Sequence, residues 1–263
     1  MFHKKRFFAL MLALVGAMWA APISAVTAQE PPKALNRGLA AVDRAANANK
    51  YLFVFFYRQD DAQTRSMGEI VKSATNAASS RADTVAISIA DPSEAGIVSK
   101  FGVSKAPMPL VLALAPNGAI VANFASNFTK QQILDSFVSP SMETLLRSLQ
   151  QGRLVLLCVQ NGKTRLNSEA MNGVRELKSD QRFGQATDVI MVDPGQPAER
   201  PFLTKLGMTD PIAEAMTLMI APPGSIIGSF KGATDKNQLV ATLTSAVSGC
   251  GTGCNAGGCG VGN

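Results

Sequence analysis

Phe101-Gly102-Val103-Ser104-Lys105 returns as Leu206-Gly207-Met208-Thr209-Asp210, and Ala115-Pro116-Asn117-Gly118-Ala119-Ile120-Val121 returns as Ala221-Pro222-Pro223-Gly224-Ser225-Ile226-Ile227. The offsets are 105 and 106 residues. Upstream, Asp91-Pro92 follows the strand-like run Val85 to Ala90 as Asp193-Pro194 follows Val189 to Val192, and Leu52 to Tyr57 is matched with Leu154 to Val159. One such echo could arise by chance. Four in the same order imply two copies of one unit, each close to the usual domain size of ~100 residues.

Within the first copy the hydrophobic pattern alternates between helix and strand. Leu35, Leu39, Val42 and Ala46 fall at helical spacing in Ala34 to Asn49, and Tyr51 to Tyr57 is a continuous apolar and aromatic run suited to a buried strand. A helix is expected from about Asp61 to Ala78, then a strand at Val85 to Ile89, then a helix opened by Asp91-Pro92, since Asp accepts backbone N–H bonds and proline has none to lose. Leu110 to Leu114 and Ile120 to Phe124 flank Pro116-Asn117-Gly118, a hairpin signal. Thr129-Lys130-Gln131-Gln132 has capping-box form, and Asp235-Lys236-Asn237-Gln238 repeats it with Asp as cap. Ser139-Pro140-Ser141 reads as a short hinge, with Met142 to Gln151 the opening helix of the second copy. The expected division is a leader at 1–28, domain 1 at 29–138, the hinge at 139–141, domain 2 at 142–247 and a Gly/Cys-rich flexible tail at 248–263.

This order resembles the thioredoxin fold. The likeness is carried by Tyr51-Leu52-Phe53-Val54-Phe55-Phe56-Tyr57, by Phe101-Gly102-Val103, and by Pro109-Leu110-Val111-Leu112 running into Pro116-Asn117-Gly118. It implies an α/β chain of two tandem thioredoxin-like domains, each a central mixed sheet flanked by helices. Pro109 is the candidate for the family's cis-proline, with Pro107 the alternative; in the second copy that place falls on Ala215 or nearby. The family's chemistry is missing, however. Its W-C-x-x-C motif follows the first core strand, where a helix N-terminus stabilises a thiolate. Here the aligned residues are Asp60-Asp61-Ala62-Gln63-Thr64, so Asp61 and Thr64 hold the two cysteine positions, and Asp61 reads as a helix cap. The second copy offers Gln160-Asn161-Gly162-Lys163-Thr164-Arg165-Leu166, again without Cys. No catalytic residue is assigned in either domain.

The remaining composition narrows the chemistry further. The only His is His3 and the only Trp is Trp19. Both lie in a stretch with a positive Lys4-Lys5-Arg6 start, an apolar run from Phe7 to Ala21, and small residues at Val26-Thr27-Ala28 before Gln29, the layout of a cleaved secretory signal. A mature chain lacking histidine cannot use a Ser-His-Asp triad, a Cys-His pair or an imidazole base. Cleavage takes the formal net charge from +6 to +3, too little to argue for nucleic acid, and leaves no membrane span. Gly162-Lys163-Thr164 is not a phosphate loop, because Leu157 stands where the wrapping glycine is needed. Asp60 and Asp61 are neighbours that face apart on a helix, with no third ligand in view.

Cysteine usage is uneven. Cys158 lies inside an apolar strand and reads as a small buried hydrophobe. Cys250, Cys254 and Cys259 lie in a charge-free, glycine-rich end and could form a disulfide, hold a soft metal such as Cu(I), or link two chains; three ligands without histidine disfavour structural zinc. The expected function is a redox-inactive protein-binding, chaperone-like or scaffold module in an exported protein, periplasmic or extracellular, like the non-catalytic domains of some disulfide isomerases. Its expected partner is another exported protein, and no cofactor is expected. The alternative is a thiol-disulfide oxidoreductase or metal-handling protein working through the tail.

Overall fold

The computed structural model describes residues 36–209 and 211–249. The expected leader and the three tail cysteines lie outside them. In chain order the elements are α1 (Arg37–Asn47), β1 (Tyr51–Tyr57), α2 (Ala62–Ala77), β2 (Ala82–Ser88), α3 (Ala95–Phe101), β3 (Leu110–Leu114), β4 (Ile120–Ala125) and α4 (Lys130–Leu134). The same series follows as α5 (Pro140–Gln150), β5 (Leu154–Val159), α6 (Asn167–Ser179), β6 (Thr187–Val192), α7 (Arg200–Lys205), β7 (Met216–Ala221), β8 (Ser225–Lys231) and α8 (Lys236–Gly249). Two sheets result, ordered β2-β1-β3-β4 and β6-β5-β7-β8. In each the first pair is parallel and the next two are antiparallel. The chain is thus two tandem thioredoxin-like α/β domains.

The middle strands are buried on both faces because helices cover both. Leu52, Val54 and Phe56 of β1 face the layer containing Ala41, Ala45, Ile97 and Val98, while Tyr51, Phe53 and Phe55 face Val71, Ala74 and Ile133. In domain 2 the first layer takes Val155, Leu157 and Val159, and the second takes Leu154, Leu156 and Cys158. This corrects the alignment of the first strands: Tyr51, not Leu52, corresponds to Leu154. A one-residue slip in a strand sends every side chain to the opposite face. A second correction concerns Asp91-Pro92, whose counterpart is Gln196-Pro197, each pair opening a single 3-10 turn. Asp193-Pro194 lies in the preceding loop.

α1 also departs from its expected face. Gly38, Ala41 and Ala45 are the buried positions, while Leu39 and Val42 are only partly covered and Ala46 is exposed. The helix lies so close to α3 that a Cβ on Gly38 would come within 2.7 Å of the Ile97 side chain. Small residues therefore line the contact.

A buried carboxylate recurs beneath the first helix of each domain. Glu94 is fully buried and accepts from the Gly38 N–H at 2.9 Å and the Arg37 guanidinium at 3.1 Å. Glu199 accepts from the Ser141 N–H at 3.2 Å, but Pro140 stands where Arg37 does, and its second oxygen has no hydrogen-bond partner among the described residues. Another repeated pair ties the strand ends: Lys50 with Asp83 at 3.1 Å, and Arg153 with Asp188 at 2.6 and 2.7 Å.

α5 opens two residues before the expected Met142. Ser139 accepts from the Met142 N–H, and Pro140 takes the first helical position, where its missing N–H costs nothing. The helix serves both domains. Leu145 and Leu149 enter the domain 2 core, while Leu146 packs on the domain 1 core. The Tyr51 phenol donates to Glu143 at 2.5 Å. Gln150 brackets the Ile120 backbone, donating to its carbonyl at 2.7 Å and accepting from its N–H at 2.9 Å.

Candidate functional site

The loop between β1 and α2 is where the fold presents its helix N-terminus to solvent. Asp61 stands at that N-terminus with extended backbone, and its Oδ1 accepts from the Thr64 N–H at 2.8 Å. That backbone bond holds the Asp61 carboxyl below the usual carboxylate range. Thr64 is buried beneath it. Asp60 turns away, its carbonyl accepting from Arg65 at 2.7 Å. The Met108–Pro109 peptide bond is cis, Pro109 is buried immediately before β3, and its carbonyl accepts from the Ser126 N–H at 2.8 Å. Pro107 is exposed. Asp61, Thr64 and Pro109 thus mark the same end of the sheet of domain 1, but among the described residues the side chains assembled there include no thiol and no imidazole.

Domain 2 closes the equivalent loop on itself. The Asn161 amide donates to Asp193 at 2.7 Å, the Thr164 hydroxyl donates to Asn167 at 2.6 Å, and the Asn167 amide donates back to the Asn161 carbonyl at 2.7 Å. Leu166 precedes α6 with φ of 60° and makes no side-chain cap. The Arg165 N–H donates to the Ala213 carbonyl, the Ala215 N–H donates to the Arg165 carbonyl, and the Arg165 guanidinium binds Glu214 at 2.7 Å. Ala215 stands just before β7, and its carbonyl accepts from the Gly232 N–H at 2.7 Å as Pro109 does from Ser126. This polar closure escaped the reading of the sequence. Its one local signal is Asn161-Gly162, a turn in which the Asn side chain accepts from the Lys163 N–H.

Cys158 is 1% exposed in the middle of β5. Burial pushes its thiol up to about 11, so almost none of the reactive thiolate forms near neutral pH. Cys250, Cys254 and Cys259 lie outside the described residues. Among the described residues no three His, Cys, Asp or Glu side chains gather in a metal-binding group, and no helix is long and apolar enough to cross a membrane.

The seam between the domains holds a cleft of about 790 Å³ that the sequence did not announce. Tyr51 and Glu143 lie in its lining with Arg81, whose guanidinium sits 4.3 Å from the centre of the Phe137 ring, and Lys205. Desolvation raises both the Tyr51 phenol and the Glu143 carboxyl above their ordinary ranges, and their shared hydrogen bond reinforces the rise for Tyr51. The two groups are joined to each other across the seam.

No family model matches the sequence, and no curated protein matches it. Among solved structures the chain is similar to thioredoxin O2 from Arabidopsis thaliana in the oxidised state, at 14% identity over 42% of this chain and 87% of that one, with a TM-score of 0.32. It is also similar to the first two thioredoxin domains of Saccharomyces cerevisiae Eps1p, at 10% identity over 82% and 98%, with a TM-score of 0.29. A third similarity is to the N-terminal domain of the alkylhydroperoxide reductase AhpF from Enterococcus faecalis, at 13% identity over 81% and 99%, with a TM-score of 0.25. The tandem thioredoxin-like fold itself rests on the strand order, register and helix placement of the two domains.

Proposed function

We propose that this protein is an exported, redox-inactive thioredoxin-like module that binds or scaffolds another exported protein. The reading is carried by one observation: where the fold would place a nucleophilic thiol at a helix N-terminus, domain 1 has Asp61 committed to capping that helix, with Thr64 buried behind it. Cys158 adds no reactivity, being buried in β5. Export is supported by the basic start, apolar run and small-residue cleavage site of residues 1–28. The second reading, thiol or soft-metal chemistry at Cys250, Cys254 and Cys259, is favoured by the clustering of three cysteines in one glycine-rich segment.

Disulfide reduction measured on the wild type, on the Cys250→Ser, Cys254→Ser, Cys259→Ser triple variant and on Asp61→Cys with Thr64→Cys separates the two. The expected result is no turnover for the wild type or the triple variant, and turnover only where the pair of cysteines has been installed. Wild-type turnover lost in the triple variant would replace the binding reading with the tail reading. Turnover that survives in the triple variant would defeat both.

A further inference from the structure

α5 is held on domain 1 by one helical face, Glu143, Leu146, Arg147 and Gln150, spaced by three, four and seven. Glu143 accepts from Tyr51, Leu146 packs on the core, the Arg147 guanidinium reaches the Gly118 carbonyl at 3.5 Å, and Gln150 brackets Ile120. Domain 2 repeats the receiving surface. Gly224 and Ile226 take the places of Gly118 and Ile120 at the same hairpin, and Leu154 takes that of Tyr51. Gly224 and Ile226 are exposed, Ile226 at 48%, and no described side chain bonds the Ile226 backbone, while Leu154 is buried in the domain 2 core with Val174 and Leu239.

The helix that matches this surface is α1. It has the same length as α5, and its ends make the same bonds 103 residues earlier: Asn36 caps as Ser139 does, and the Lys50 N–H returns to Ala45 as that of Arg153 returns to Ser148. The face equivalent to the docking face of α5 is therefore Ala40, Asp43, Arg44 and Asn47. Asp43, Arg44 and Asn47 are exposed, and the side chains of Arg44 and Asn47 bond no described residue.

We propose that α1 of one copy docks on the Gly224–Ile226 surface of a second copy, as α5 docks on domain 1. Arg44 then faces the Gly224 carbonyl, and Asn47 offers Ile226 the paired donor and acceptor that Gln150 offers Ile120. Ala40 takes the place of Glu143, so no carboxyl is left without the phenol that Tyr51 supplies in domain 1. Asn is one methylene shorter than Gln, and the Leu146 knob is lost at Asp43. That loss makes the contact weak. Because the two surfaces differ, the contact is heterologous and propagates from copy to copy.

Sedimentation of the protein across a concentration series, under reducing conditions so that tail disulfides play no part, tests this. Wild type is expected to associate with rising concentration, and Ile226→Asp and Arg44→Glu each to remain monomeric with unchanged circular dichroism. Mixing those two variants is expected to give a 1:1 pair and nothing longer, since one keeps the helix and the other keeps the surface. Asp43→Leu, which restores the apolar knob, should move the association midpoint about tenfold lower in concentration. Wild type and Asp43→Leu both monomeric throughout, or association unaffected by Ile226→Asp, would overturn the proposal.

Discussion

Domain 1 and domain 2 share strand order, helix placement and a buried carboxylate under the first helix, yet they enter their second helix in opposite ways. In domain 1 a single carboxylate, Asp61, caps α2 and leaves Arg58 to Asp60 exposed. In domain 2 the entry residue Leu166 caps nothing, and the loop is held by Asn161, Thr164, Asn167 and Asp193 instead. Cores differ as well: domain 1 packs Phe53, Phe55, Phe56 and Phe101, where domain 2 relies on Leu154, Leu156, Leu157 and Met219. The lesson is that the scaffold tolerates replacement of its most characteristic loop provided the backbone groups there find partners, whether from one cap or from a closed polar turn.

The comparison breaks most sharply at the glycine inside each second helix. A Cβ on Gly173 of α6 would stand 2.4 Å from the Thr234 carbonyl oxygen, a backbone atom that cannot swing aside. On Gly68 of α2 it would stand 3.5 Å from the Phe55 ring, an ordinary contact. Gly173→Ala should therefore destabilise by about 2–3 kcal/mol through overpacking. Gly68→Ala should stabilise by about 0.5–1 kcal/mol, because alanine is the better helix former. Denaturant unfolding of both variants checks the opposite signs. Equal effects would mean that α8 does not lie as close to α6 as the Thr234 contact requires.

The end of the same helices offers a pH-dependent contrast. Asp180 ends α6 and binds Arg182 at 3.0 Å and Lys236 at 2.6 Å, while Ala78 ends α2. The bond from Arg182, then that from Lys236, hold the Asp180 carboxyl well below the usual range. Its folded-state pKa is thus below the unfolded one. The ionised form favours folding, and the contribution is complete above the unfolded pKa of about 4 and lost as the pH falls further. Asp180→Asn should lower Tm at pH 7, with the gap to wild type narrowing steadily from about pH 4 downward. A gap that stays constant into acid would show that Asp180 acts by shape alone.

The sequence revealed the repeat through its turns, because turn chemistry is spelled in specific residues. Gly102 and Gly207 have φ of 63° and 78°, and Gly118 has φ of 81°, conformations that favour glycine and so leave a readable echo. Helix surfaces carry no such spelling. Arg44 and Arg147 hold the same place, yet their neighbours Asp43 and Leu146 share nothing, so the kinship of α1 and α5 emerges only from the bonds at their ends. Strand register was lost for a related reason: in two continuous apolar runs a shift of one residue leaves the pattern unchanged while exchanging the faces. Of the site, Asp61 and Thr64 were legible because their loop follows β1 directly. The Tyr51–Glu143 bond was not, because its partners are 92 residues apart and meet only when α5 packs on the first sheet.

The finest test of the correspondence lies at the turn between the first helix and first strand of each domain. Asn49 has φ of 52° and Gly152 has φ of 74°, so one left-handed position is filled by two different residues. Asparagine is among the few L residues that adopt this conformation at small cost, and nothing lies within 4 Å of a Cβ placed on Gly152. Glycine in turn gives up part of its advantage through greater freedom in the unfolded chain. The two effects oppose each other. Asn49→Gly and Gly152→Asn should therefore each move stability by less than about 0.5 kcal/mol, whereas Gly152→Val, β-branched and forced to positive φ, should cost about 1–2 kcal/mol. Thermal melts of the three variants give the comparison directly. A Gly152→Asn cost as large as that of Gly152→Val would mean that the second turn needs glycine for a reason the first does not share, and that the two junctions are alike only in outline.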